Sequence, residues 1–127
     1  MTTNEKNVTI NTKLKVFFTQ WLLFIKPFHK LNNRQMSVLS LLLYHHYILS
    51  KGITNVKVLW KEVFDYDTKI KISEDLNLKQ TAVENVLSQL RVLNIIVDNK
   101  ISPVYIPSLD FKSNKFKITF NFNISND

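Results

Sequence analysis

The sequence predicts one α+β domain that is mainly helical. Apolar residues recur at helical spacing in successive segments from Leu14 to Leu93, whereas the period drops to two between Phe116 and Phe122. A chain of 127 residues with 45% hydrophobic side chains is long enough to bury a core unaided. It has no cysteine, which excludes a disulfide framework, a thiolate zinc site and a cysteine nucleophile together.

Residues 1–12 read as a polar tail, apolar only at Val8 and Ile10. Thr12 is placed to cap a first helix over residues 13–26, in which Leu14, Phe17, Phe18, Trp21, Leu22 and Ile25 recur before Pro27 ends it. Phe17, Phe18, Trp21 and Phe24 cannot all face one narrow core, so they form a candidate interface for a second copy or another protein. Asn32 and Gln35 have capping-box spacing ahead of Met36, Leu39, Leu42, Leu43 and Tyr47. That helix is apolar nearly all round, which predicts the central buried element, and Gly52 stands where a left-handed cap is wanted. Val56, Leu59, Trp60, Val63 and Phe64 predict a short helix, the acidic turn Asp65–Asp67 interrupts it, and Thr68–Asp75 forms another.

The stretch LNLKQTAVENVLSQLRVLNII, Leu76 to Ile96, resembles the recognition half of winged helix-turn-helix DNA-binding domains. In that family a turn of pattern L-G-L-S precedes a helix ending in L-x-x-x-G-L-I. Asn77 and Asn94 occupy the two glycine positions, and asparagine tolerates the left-handed conformation better than most side chains. The resemblance extends over roughly residues 33–122. It implies a winged helix-turn-helix with a helical core over 33–96, a C-terminal β-hairpin wing over 97–124 and an extra aromatic helix in front, all one domain over 13–127. In the wing, Phe116, Ile118, Phe120 and Phe122 alternate with Lys117, Thr119 and Asn121 as a return strand, paired with Ile101–Ile106 across a polar tip at Asp110–Lys115.

Val83, Val86, Leu87, Leu90 and Leu93 form the inward stripe of the second helix by spacing, leaving Thr81, Glu84, Asn85 and Ser88 outward. The resemblance implies that Lys79, Gln80, Thr81, Asn85 and Ser88 face a DNA groove, with Lys112 and Lys115 at the wing. Gln80 or Asn85 has the amide that pairs with an adenine edge, and Lys69, Lys71 and Lys79 can neutralise phosphates. The departure is a face without arginine that carries Glu84, a repulsive charge beside phosphate.

The formal net charge of +7 suits double-stranded DNA, an anionic surface or an acidic protein, and no block of five like charges singles one out. Lone glycine Gly52 and an abundance of asparagine, lysine, isoleucine and phenylalanine suit an AT-rich coding sequence such as that of a bacteriophage or a low-GC bacterium. No glycine-rich phosphate loop, Ser-His-Asp spacing or carboxylate pair in helical register is present, so no enzyme, small-molecule substrate or cofactor is expected. His45 and His46 point about 100° apart on a helix and cannot share one metal ion, and His29 reads as a turn or surface residue. The polar start lacks a signal-peptide core and no apolar run reaches the roughly 18 residues of a membrane span. The expected setting is the cytoplasm, that of the host if the chain is phage-encoded. The expected function is a non-catalytic DNA-binding protein acting as a regulator or replication accessory factor. The rival is a virion or assembly protein that uses the same scaffold for protein contacts or as a homodimer.

Overall fold

The structure, a computed structural model, describes residues 5–110 and 112–126. Residues 1–4 of the expected polar tail and Phe111 of the expected wing tip lie outside the described residues. The described residues form six α-helices followed by a two-stranded antiparallel sheet. The helices are α1 (Leu14–Phe24), α2 (Lys26–His29), α3 (Asn33–Ser50), α4 (Val56–Val63), α5 (Tyr66–Leu76) and α6 (Gln80–Val92). Strands β1 (Ile96–Val97) and β2 (Lys100–Ile101) come next, and a 3-10 turn over Pro103–Tyr105 closes the regular structure.

Helix α3 is the axis of the fold, with α1, α4, α5 and α6 all packed on it. Its apolar residues surround it, so burial is available on every side: Val38, Leu39, Leu42 and Leu43 are all enclosed. The capping box forms as expected. The Asn32 side chain accepts from the Gln35 N–H at 2.8 Å, and the Gln35 side chain accepts from the Asn32 N–H at 3.0 Å.

The end of α3 differs from expectation. Gly52 does not adopt a positive φ, since the chain leaves through Lys51 in the right-handed region and the Gly52 and Ile53 amides both donate to the Leu49 carbonyl. At the start of α1, Thr12 does not cap; its hydroxyl donates to the Lys13 carbonyl at 3.3 Å, and no side chain caps α1. Pro27 does not terminate α1 either. It sits in the first turn of α2, where a missing N–H breaks no helical bond.

His29 is buried, contrary to its reading as a surface residue. Its Nδ1 accepts from the Leu31 N–H at 2.9 Å and its Nε2 lies 2.7 Å from the Leu22 carbonyl. Those partners select the neutral tautomer with the proton on Nε2, donating to Leu22. The ring thereby ties α1 to the chain entering α3.

The side chain of Asn55 accepts from the Val58 N–H to start α4, and that of Asp65 accepts from the Tyr66 N–H to start α5 two residues earlier than the sequence suggested. The Thr68 hydroxyl donates to the Glu62 carbonyl at 2.8 Å and locks the two helices end to end.

The C-terminal hairpin is much smaller than expected. Ile96 pairs with Ile101 and Val97 with Lys100, so the turn is Asp98-Asn99, both at positive φ as a two-residue primed turn requires. The expected pairing of Ile101–Ile106 with Phe116–Phe122 does not form; residues 114–126 carry no strand. Pro103 begins the 3-10 turn and, having no N–H, cannot donate to a ladder. Phe116 instead packs edge-on against Phe17 at 5.3 Å and Trp21 at 5.5 Å.

Candidate functional site

Two Schellman motifs position α6. At the end of α5, Asn77 takes the left-handed conformation at φ 52°, its N–H donates to the Glu74 carbonyl, and the Leu78 N–H reaches Ser73 at 2.9 Å. Lys79 then opens α6 from an extended conformation. The same device closes α6: Asn94 is left-handed at φ 59°, and the Ile95 N–H donates to the Leu90 carbonyl at 3.0 Å. Both asparagines do what the glycines of the resembling motif do. Leu93 departs from the expected stripe and is exposed, because the Asn94 reversal sends Ile95 and Ile96 into the core in its place.

Val83, Val86, Leu87 and Leu90 bury one side of α6 against α3 and α5. The opposite side exposes Thr81, Asn85 and Ser88. Gln80 is half-buried, and the Ser88 hydroxyl donates back to the Glu84 carbonyl at 3.2 Å while its lone pairs remain outward. Gln89, exposed one residue further on, accepts from the Gln35 side chain at 2.9 Å and couples α6 to the α3 cap.

The electrostatics of this face differ from the sequence expectation. Lys69 Nζ lies 3.0 Å from the Glu84 carboxylate, and the lysine side chain is only 19% exposed. Lys69 is therefore committed to the α5–α6 contact, and the one acidic residue of α6 arrives already paired. Lys71 stands two residues along α5 and points elsewhere. It approaches His45 of α3, whose pKa is lowered by burial first and by the Lys71 charge second, with Asp75 acting in the opposite sense and Lys15 in the same. Asp75 itself is held by Lys15 of α1 at 2.7 Å.

Lys112 and Lys115 are exposed at and just after the turn at residues 112–113, where Asp110 accepts from the Lys112 N–H at 2.9 Å. Phe116 carries that turn onto α1. The nine candidate nucleic-acid residues thus divide: Lys79, Gln80, Thr81, Asn85 and Ser88 share α6, Lys69 and Lys71 point apart, and Lys112 and Lys115 ride on a segment anchored to α1.

The candidate interface also divides. Phe18 is enclosed beside Tyr44 and Tyr47. Phe17 and Trp21 lie under Phe116, and Trp21 Nε1 donates to the Tyr105 carbonyl at 2.8 Å. Of the four, only Phe24 remains outward, and Val16, Leu23 and Phe28 of α1 and α2 are exposed as well.

The two histidines diverge as their spacing requires. His46 stacks on Trp60 at 4.3 Å and its pKa is lowered by burial, while His45 Nε2 is enclosed without a hydrogen-bond partner among the described residues. Among the described residues, no three His, Cys, Asp or Glu side chains are grouped to hold a metal ion, and no helix is long and apolar enough to cross a membrane. No family model, curated relative or solved structure matches the chain.

Sequence reasoning missed the true hairpin. Its signal was available as Asp98-Asn99 between Ile-Val and Lys-Ile, a pair of residues tolerant of positive φ flanked by short apolar runs.

Proposed function

We propose that this chain is a non-catalytic winged-helix protein that lays α6 in the major groove of double-stranded DNA. The observation that supports it best is the Lys69–Glu84 ion pair. It balances the only acidic side chain of α6, so the exposed row Thr81, Asn85 and Ser88 meets a partner as uncharged polar groups between Lys79 and Arg91. Short hydroxyl and amide side chains allow close approach to base edges, and flanking cations suit phosphates. The packing of α3, α5 and α6 with a hairpin directly after α6 supports the winged-helix reading, with Asp98-Asn99 as a minimal wing tip.

The test is a titration of duplex DNA across salt. Affinity is expected to fall steeply between about 50 and 200 mM salt, and Lys79→Ala is expected to reduce the logarithmic salt slope by about one. Asn85→Ala is expected to weaken binding at a preferred site by roughly 1–3 kcal/mol. Affinity that is absent, or indifferent to salt, would refute the reading.

A second reading, assembly through a second copy of the chain, is favoured by exposed apolar residues on two segments. Val16, Leu23, Phe24 and Phe28 are open on α1 and α2, and Phe122 and Ile124 are 82% and 86% exposed along the extended C-terminal segment. A sedimentation series that shows a dimer dissociating on Phe24→Ser would support it, and a monomer at high micromolar concentration would remove it.

A further inference from the structure

A different face combines unpaired cations with stacked rings. Lys57 and Lys61 stand one turn apart on α4 and line a cleft of about 410 Å³ together with Trp60, Phe64, Asp65 and the hairpin residues Asp98, Asn99 and Lys100. That volume lies within the range of small-molecule sites. None of the three lysines forms an ion pair among the described residues, although two aspartates line the same cleft. The Asp65 carboxylate accepts from the Tyr66 N–H at 2.8 Å and keeps its charge, so the lining carries three positive and two negative side chains.

Two of the lining side chains are aromatic, Trp60 and Phe64, and His46 of α3 backs Trp60 from outside the cleft. His46 and Trp60 stack at 4.3 Å and 22°, and Trp60 and Phe64 lie near-parallel at 6.2 Å and 24°. Trp60 is buried, whereas Phe64 is half-buried and lines the opening. A planar ring entering the cleft therefore meets aromatic surface, beside three ammonium groups free to take an anion. Flat ring plus phosphate is the chemistry of a nucleotide, and base stacking on aromatic side chains with lysines along the backbone is how unpaired strands are held.

We propose that this cleft binds an unpaired nucleotide, its base against Phe64 and the edge of Trp60 and its phosphate among Lys57, Lys61 and Lys100. The ligand is a nucleotide of single-stranded DNA or a free mononucleotide. Asp65 and Asp98 would both repel a phosphate beside them, so the phosphate sits where the three lysines outweigh the two carboxylates. This site is separate from the exposed face of α6 and does not depend on the duplex reading.

The experiment measures binding of a labelled oligothymidylate by fluorescence anisotropy, with thymidine monophosphate and inorganic phosphate as competitors. The wild-type chain is expected to bind the oligothymidylate. The double variant Lys57→Glu, Lys61→Glu is expected to lose about tenfold or more, because two exposed charges are reversed with no core residue touched. Phe64→Leu is expected to lose about tenfold in single-strand affinity, its folding checked by circular dichroism. Competition by the monophosphate assigns the site to free nucleotides as well; its failure with retained oligothymidylate binding assigns it to the strand. Single-strand affinity unchanged within about twofold in the double-charge variant, or competition by inorganic phosphate equal to that of the monophosphate, would overturn the proposal.

Discussion

The α5–α6 pair and the C-terminal segment after Ser102 both carry periodic apolar patterns, yet only the first becomes the regular structure its pattern predicts. Every apolar repeat on α6 is held by backbone bonds that close within four residues, and Asn77 and Asn94 seal the carbonyl ends of the two helices locally. The alternation of Phe116, Ile118, Phe120 and Phe122 has no such support, because a strand's hydrogen bonds must come from another segment. Pro103 and the 3-10 turn remove the nearest one. The segment is consequently held by side chains alone, through Trp21 donating to the Tyr105 carbonyl and Phe116 lying on Phe17 and Trp21, and its last apolar residues stay in solvent. Pattern alone specifies a helix more completely than it specifies a strand.

Mutation can break that contrast, and the largest effect is expected inside the helix pair. Leu87→Ala, at a fully enclosed position on α6, should cost about 2–5 kcal/mol in urea unfolding. In the C-terminal segment, Phe116→Ala should cost roughly 1–2 kcal/mol, through lost burial and two lost edge-on ring contacts. Removing residues 119–127 should change stability by less than about 0.5 kcal/mol, since the residues described there are exposed. If that truncation cost as much as Phe116→Ala, the segment would be more firmly docked than the Trp21 and Phe116 contacts allow.

The helix ends sharpen the comparison further. Asn77→Ala should cost about 1 kcal/mol by forcing an alanine into a left-handed position, whereas Asn77→Gly should be neutral or stabilising. Acid should also act on the helix-pair side. His45 and His46 have pKa values lowered from 6.5 chiefly by burial, so the unfolded chain binds more protons at mildly acidic pH. Their contribution to stability is fully present above about pH 6.5 and shrinks as pH falls toward the lowered values, visible as a decreasing urea midpoint that His46→Phe attenuates. Gly52→Ala is expected to stabilise by about 0.4–1 kcal/mol: φ is not positive there and no atom lies within 4 Å of the added methyl.

What could be read in advance follows the same division. The Asn32–Gln35 capping box, the left-handed asparagines, the buried face of α6 and the divergence of His45 from His46 are all properties of spacing within one or two turns. The five candidate residues on α6 stayed together for that reason. Lys69, Lys112 and Lys115 did not join them, because their places depend on a carboxylate fifteen residues away in one case and on Phe116 meeting α1 in the other two. Lys57, Lys61 and Lys100 escaped notice in the sequence because a cleft between α4 and the hairpin has no local signature.

The sequence by itself determined the longer helices, the Asn32–Gln35 cap, the left-handed Asn77 and Asn94, and the inward Val83, Val86, Leu87 and Leu90 of α6, since each rests on bonds and side-chain periods that close over a few residues. Only the tertiary structure decided that Glu84 meets Lys69, that His29 is enclosed between α1 and α3, and that the C-terminal segment lies over Phe17 and Trp21 in place of completing a sheet. Those outcomes depend on which surfaces remain uncovered after the helices have packed, and burial of apolar area has no direction that a linear pattern can encode.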